Sequence, residues 1–211
     1  MGFGVALIGY ACLMLHEVGG GVFAAPILAY GFFLASRLNG NFLKAAVSAL
    51  FLFPRGVLQV CSAFGFINID ELPTLNTVTF LLYLGAWALM SYFWLTAVIQ
   101  IAHENGAQKL ETKARIRLII TVSFLMLSGS AWVLNVTGVL GDLGFMIASA
   151  QYIMQYVVIF INIFFLHTCF VMITSEKQYE RDKQEIAKER AKALEKRQKE
   201  IQEAKRFGKK K

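Results

Sequence analysis

Three stretches of this chain, residues 75–102, 118–140 and 145–174, contain no Asp, Glu, Lys or Arg. Each exceeds the roughly 20 mostly apolar residues that a helix needs to cross a hydrocarbon core. A backbone in lipid must satisfy its own hydrogen bonds, so such segments fold as helices and pack side by side. The expected fold class is all-α, a polytopic transmembrane helix bundle. Two further segments qualify with interruptions. Residues 18–36 tolerate Pro26 because neighbouring helices can satisfy the freed carbonyl, and residues 42–67 are interrupted by Lys44, Pro54 and Arg55. Residues 2–15 are apolar but short for a span, and His16-Glu17 and Gly19-Gly20-Gly21 part them from the next apolar segment. The count is six crossings if residues 2–15 cross, and five if they lie along the outer interface.

Charge is concentrated at one end of the chain. Residues 176–211 hold fourteen Lys/Arg and eight Asp/Glu, whereas residues 1–175 hold seven and six. This divides the chain into two domains: a bundle over 1–174, with segments near 2–15, 18–36, 42–67, 75–102, 118–140 and 145–174, and a basic tail over 175–211. The tail is dense in Ala, Glu, Lys, Gln and Arg and carries Glu185–Lys188, Glu189–Lys192 and Glu195–Lys199 at helical spacing, so a long charged C-terminal helix is expected. The apolar block excludes a soluble globular enzyme, a secreted disulfide scaffold and a disordered chain. Cys12, Cys61 and Cys169 show no CxxC or paired Cys/His spacing, so neither metal nor cofactor is expected. The first residues lack the Lys/Arg n-region of a secretory signal and are expected to belong to the mature chain.

Orientation is set by the basic residues of the connections. Arg37 and Lys44 flank one; Lys109, Lys113, Arg115 and Arg117 crowd another; the alternate connections read Asp70-Glu71 and Asp142. The positive-inside rule then places the tail in the cytoplasm, with the bundle in the plasma membrane.

Polar residues inside the apolar block are the candidate site, because polar groups in hydrocarbon face protein or water. Gln151, Gln155 and Asn162 fall within about 40° of one another on a helix, and Thr121, Ser128 and Asn135 repeat every seven residues. The short Gly141-Asp142 connection makes these two helices antiparallel neighbours, so their seams can meet, either as interhelical adhesive or as the lining of a solute path. Tyr83, Trp87 and Trp94 share another face, which reads as helix packing. If residues 42–67 form one kinked span, Arg55 lies about 20 Å along it, in a central layer with Trp87, Ser128 and Gln155. No carboxylate is expected at that level, which suits an anionic solute. If residues 42–53 instead lie along the interface, Arg55 sits at the cytoplasmic surface. His16 and Glu17 form a polar pair at the outer mouth, fit for proton coupling or simply for a turn between two apolar helices.

Catalytic signatures do not appear. HEVGG lacks the second His of a zinc-protease helix, and there is no GxSxG, P-loop, dinucleotide fingerprint or intramembrane acidic pair. The expectation is a non-enzymatic solute-binding or transport component whose substrate-binding residues are Arg55, Ser128, Gln155, Gln151, Asn162 and Trp87. The alternative is a membrane scaffold or assembly factor whose basic tail recruits a cytoplasmic protein or anionic lipid headgroups. RNA or ribosome contact at the tail rests on analogy alone, and a topology-fixing tail accounts for the same charge.

Overall fold

A computed structural model describes residues 2–139, 141 and 143–173, and of Glu17 and Asp70 the backbone alone. The expected charged tail and Asp142 lie outside the described residues. Met1–Phe170 form one compact unit; of the second, Val171–Lys211, the described Val171–Ile173 are helical.

Among the described residues the chain is all-helical, without strands. Its helices are α1 (Gly2–Leu13), α2 (Gly21–Ala35), α3 (Asn41–Leu50), α4 (Phe53–Ala63), α5 (Pro73–Glu104), α6 (Gln108–Val136) and α7 (Leu143–Ile173). Short 3-10 turns occupy His16–Val18 and Ile69–Glu71. Four helical stretches are long and apolar enough to cross a membrane: α3 with α4 as Asn41–Ala63, α5, α6 and α7. This fits an integral membrane protein. With 12 and 15 residues, α1 and α2 fall below that length, spanning about 18 and 22 Å against a core of about 30 Å.

The kinked span expected at 42–67 appears as Asn41–Ala63, broken by a two-residue turn at Phe51–Leu52. The Phe51 N–H turns back to the Ser48 and Ala49 carbonyls, closing α3, and Pro54 enters the first turn of α4, where its missing N–H has no intrahelical partner to lose. The helix then stops at Ala63, because Gly65 adopts a left-handed φ of 73° and turns the chain four residues sooner than hydropathy suggests.

Close backbone approach builds the first hairpin. A Cβ on Gly31 would lie 2.6 Å from the Ala6 nitrogen, and one on Gly9 would lie 2.6 Å from Leu28 Cγ. A Cβ on Gly2 would collide with the Gly31 carbonyl oxygen. α1 and α2 are therefore antiparallel, with the start of α1 level with the end of α2. The start of α2 in turn meets α4, Gly21 against Gly56. Trp94 of α5 gathers the rest: its ring packs on Tyr10 of α1, Phe32 of α2 and Phe165 of α7 at centroid distances of 6.1, 6.2 and 5.9 Å. Tyr83, Trp87 and Trp94 are all buried, the packing role their spacing suggests.

From the corner at residues 105–107, α6 runs back along α5, with Trp132 on Phe80 at 4.2 Å. It is the least buried of the four candidate spans, with 17% of its apolar stretch buried against 39–44% in the other three. Asn39 and Asn41 both donate to Gln100 Oε1, at 2.8 and 3.1 Å, and so bring the α2–α3 connection beside the α5–α6 corner. One end of the bundle thus collects Arg37, Lys44, Lys109, Lys113, Arg115 and Arg117, and the opposite end carries Asp70 and Glu71. We call these the basic and the acidic end.

Candidate functional site

The first hairpin stops inside the bundle. His16 in its turn is buried, its ring 6.2 and 5.8 Å from those of Tyr152 and Tyr156, whose hydroxyls bond each other at 3.0 Å. These tyrosines are the tenth and fourteenth residues of α7, so the turn lies about 14 to 20 Å along that helix from its acidic end. The expected pair at the outer mouth is therefore a recessed one in its His16 half; the side chain of Glu17 lies outside the described residues. Gly19 closes the turn at φ 87°, and Val60 packs where a side chain would otherwise stand.

Arg55 directs its guanidinium at the start of α5, on the acidic side of the bundle. Its Nη1 donates to Asn76 Oδ1 at 2.5 Å and reaches Thr79 Oγ1 at 3.4 Å, while the guanidinium lies 5.6 Å from the Phe80 ring centroid. Asn76 and Thr79 belong to the first two turns of α5, and Trp87 lies about 16 Å further along than Asn76. The structure does not bring Arg55 into one layer with Trp87, nor does it place it at the basic end. Rise per residue along a kinked span from Phe42 gives a central height, whereas the docking of α4 beside the start of α5 carries the guanidinium to Asn76 and Thr79.

The two polar seams meet. Gln151 Nε2 of α7 donates to the Ser128 carbonyl of α6 at 3.4 Å, and Asn162 Nδ2 donates to Thr121 Oγ1 at 3.2 Å. Gln155 lies between these contacts, half-buried, and Asn135 is exposed. Ser128 Oγ and Asn162 Oδ1 are buried without a hydrogen-bond partner among the described residues. On α5, Trp94 Nε1 donates to the Tyr10 hydroxyl at 3.0 Å. Ser91 Oγ and Trp87 Nε1 turn toward the same hydroxyl without reaching hydrogen-bonding geometry. An unmade hydrogen bond on a buried polar group costs about 1–3 kcal/mol, so these atoms hold binding capacity that a polar molecule can take up.

Several of these residues carry little or no signal in the sequence. Asn76 and Thr79 are the exception, since their spacing lets them face one partner from a single helix. Ser91 extends the Tyr83, Trp87, Trp94 face, and Tyr10 is a lone polar tip in an apolar helix. Among the described residues no group of three His, Cys, Asp or Glu is placed to hold a metal ion. A separate groove of about 600 Å³ opens between α5 and α6, lined by Leu84, Gly85, Ala88, Leu125 and Gly129 among others. Its one polar lining residue, Ser130, spends its hydroxyl on the Met126 carbonyl at 3.0 Å. No family model, curated protein or solved structure matches this chain.

Proposed function

We propose that this chain is a multi-pass protein of the plasma membrane that binds or passes a small polar solute without chemically altering it. The observation that carries the reading is a series of polar side chains along the facing sides of α5, α6 and α7, half-exposed near the turn at His16 and buried further along. It begins at His16 with Tyr152 and Tyr156, passes Gln151, Gln155 and Ser128, and reaches Trp87, Ser91, Thr121 and Asn162. Hydrogen bonding between helices uses only part of this capacity. Arg55 stands at the entrance as the one Lys or Arg among the described residues of the acidic end, and it favours solutes with an anionic group.

In this reading residues 1–174 form the bundle and 175–211 the cytoplasmic tail. Four stretches cross in full, and α1 and α2 form a short pair entering from the basic, cytoplasmic end, a topology that the antiparallel match of Gly2 with Gly31 supports. A second reading, a scaffold that assembles with another membrane protein, is favoured by the low burial of α6.

Thiol labelling separates the two. With Cys12, Cys61 and Cys169 replaced by Ala, Gln155→Cys is expected to react with an anionic, membrane-impermeant methanethiosulfonate added from the acidic side. Arg55→Leu is expected to slow the anionic reagent severalfold relative to a cationic one. If Gln155→Cys stays unreactive while a cysteine at Glu71 is labelled, the interior is closed and the scaffold reading replaces this one.

A further inference from the structure

Lys44 occupies an unusual position for a cation. Its Nζ lies 5.6 Å from the centroid of the Phe93 ring, and Phe93 precedes Gln100 by seven residues on α5. Gln100 and Asn41 mark the polar tie at the basic end, and Lys44 follows Asn41 by three residues, so its backbone lies about 4–5 Å inward of that tie, with the side chain reaching the Phe93 ring. The surface there is apolar: Leu43, Val47 and Tyr92 are exposed around it.

Acidic groups are distant or occupied. Glu104 is eleven residues beyond Phe93, about 16 Å along α5. Glu111 is held by Arg115 at 2.8 Å and by His103 at 3.2 Å. No ion pair to Lys44 exists among the described residues. Lys44 is exposed, and the ring face beside it supplies part of what an ammonium binds, but not a counter-charge.

We propose that Lys44, backed by Phe93, binds the phosphate of an anionic phospholipid. The partner is a lipid rather than free phosphate because the ammonium is bordered by exposed apolar side chains, which a molecule bringing its own acyl chains covers and an inorganic ion leaves bare. Arg37, Lys109 and Lys113, exposed at the same end, widen the contact into a surface complementary to an anionic leaflet.

The test uses the full chain in detergent with equimolar phosphatidylglycerol and phosphatidylcholine, counting retained lipids by native mass spectrometry. The parent is expected to retain phosphatidylglycerol preferentially. Lys44→Gln lowers that preference about fivefold and Lys44→Arg restores it. Phe93→Leu, which keeps the charge and removes the ring, lowers it about twofold and serves if Lys44→Gln does not fold. An unchanged preference in both Lys44→Gln and Phe93→Leu overturns the site. Displacement of phosphatidylglycerol by equimolar glycerol phosphate overturns the assignment to lipid.

Discussion

The helix pairs α1–α2 and α5–α6 are both antiparallel, and both place glycine where they meet, with opposite results. In α1–α2 the space facing Gly2, Gly9 and Gly31 is filled by the partner's atoms, much of it backbone. In α5–α6 a Cβ on Gly85 would meet nothing within 4 Å, and one on Gly129 would meet only Leu84 Cδ1 at 3.8 Å. The same residue closes one pair and opens a groove in the other. Length accounts for the contrast. Helices of 12 and 15 residues have little surface to bury, so they gain contact by approaching closely, whereas helices of 32 and 29 residues have contact to spare.

The largest expected effect lies in the short pair. Gly31→Val forces α1 and α2 apart and is expected to cost more than about 4 kcal/mol, leaving little folded monomer in size-exclusion and thermal unfolding experiments. Unfolding at the parent's temperature would show that the glycine contact is dispensable. An intermediate effect is expected where α6 is held by polar bonds instead. Asn162→Leu removes the bond to Thr121 and is expected to lose about 1 kcal/mol in detergent-induced unfolding. A loss as large as that of Gly31→Val would mean that the seam, not backbone approach, dominates the bundle. The smallest belongs to the open groove: Gly129→Ala should change stability by less than about 0.5 kcal/mol, because its new methyl makes one ordinary contact. A clear destabilisation there would erase the difference between the pairs.

Legibility in the sequence depends on the range of each signal. Hydropathy is local, so α5, α6 and α7 could be placed from their uncharged runs. The seams of α6 and α7 were also legible, since Thr121, Ser128, Gln151 and Asn162 repeat at helical spacing on helices joined by a short turn. Arg55 was not, because its height depends on which helix α4 docks against and on the break at Phe51–Leu52. Gly2 and Gly31 carry no sign in the sequence of standing opposite each other. His16 could be recognised as a turn residue, but its depth depends on where α7 begins relative to the hairpin. Tyr10 is a single polar residue in an apolar helix without a repeat, so only its meeting with Trp94 of α5 gives it meaning.

If the chain passes a solute as proposed, the short first hairpin has an electrical consequence. Where water reaches down the chain to His16, the insulating slab separating the two aqueous phases becomes thinner than the surrounding bilayer. A membrane voltage of 100 mV does work of about 2.3 kcal/mol on one elementary charge whatever the distance. Confined to a thinner slab, that same drop gives a proportionally steeper gradient, and the groups inside it are Trp87, Ser91 and Asn162.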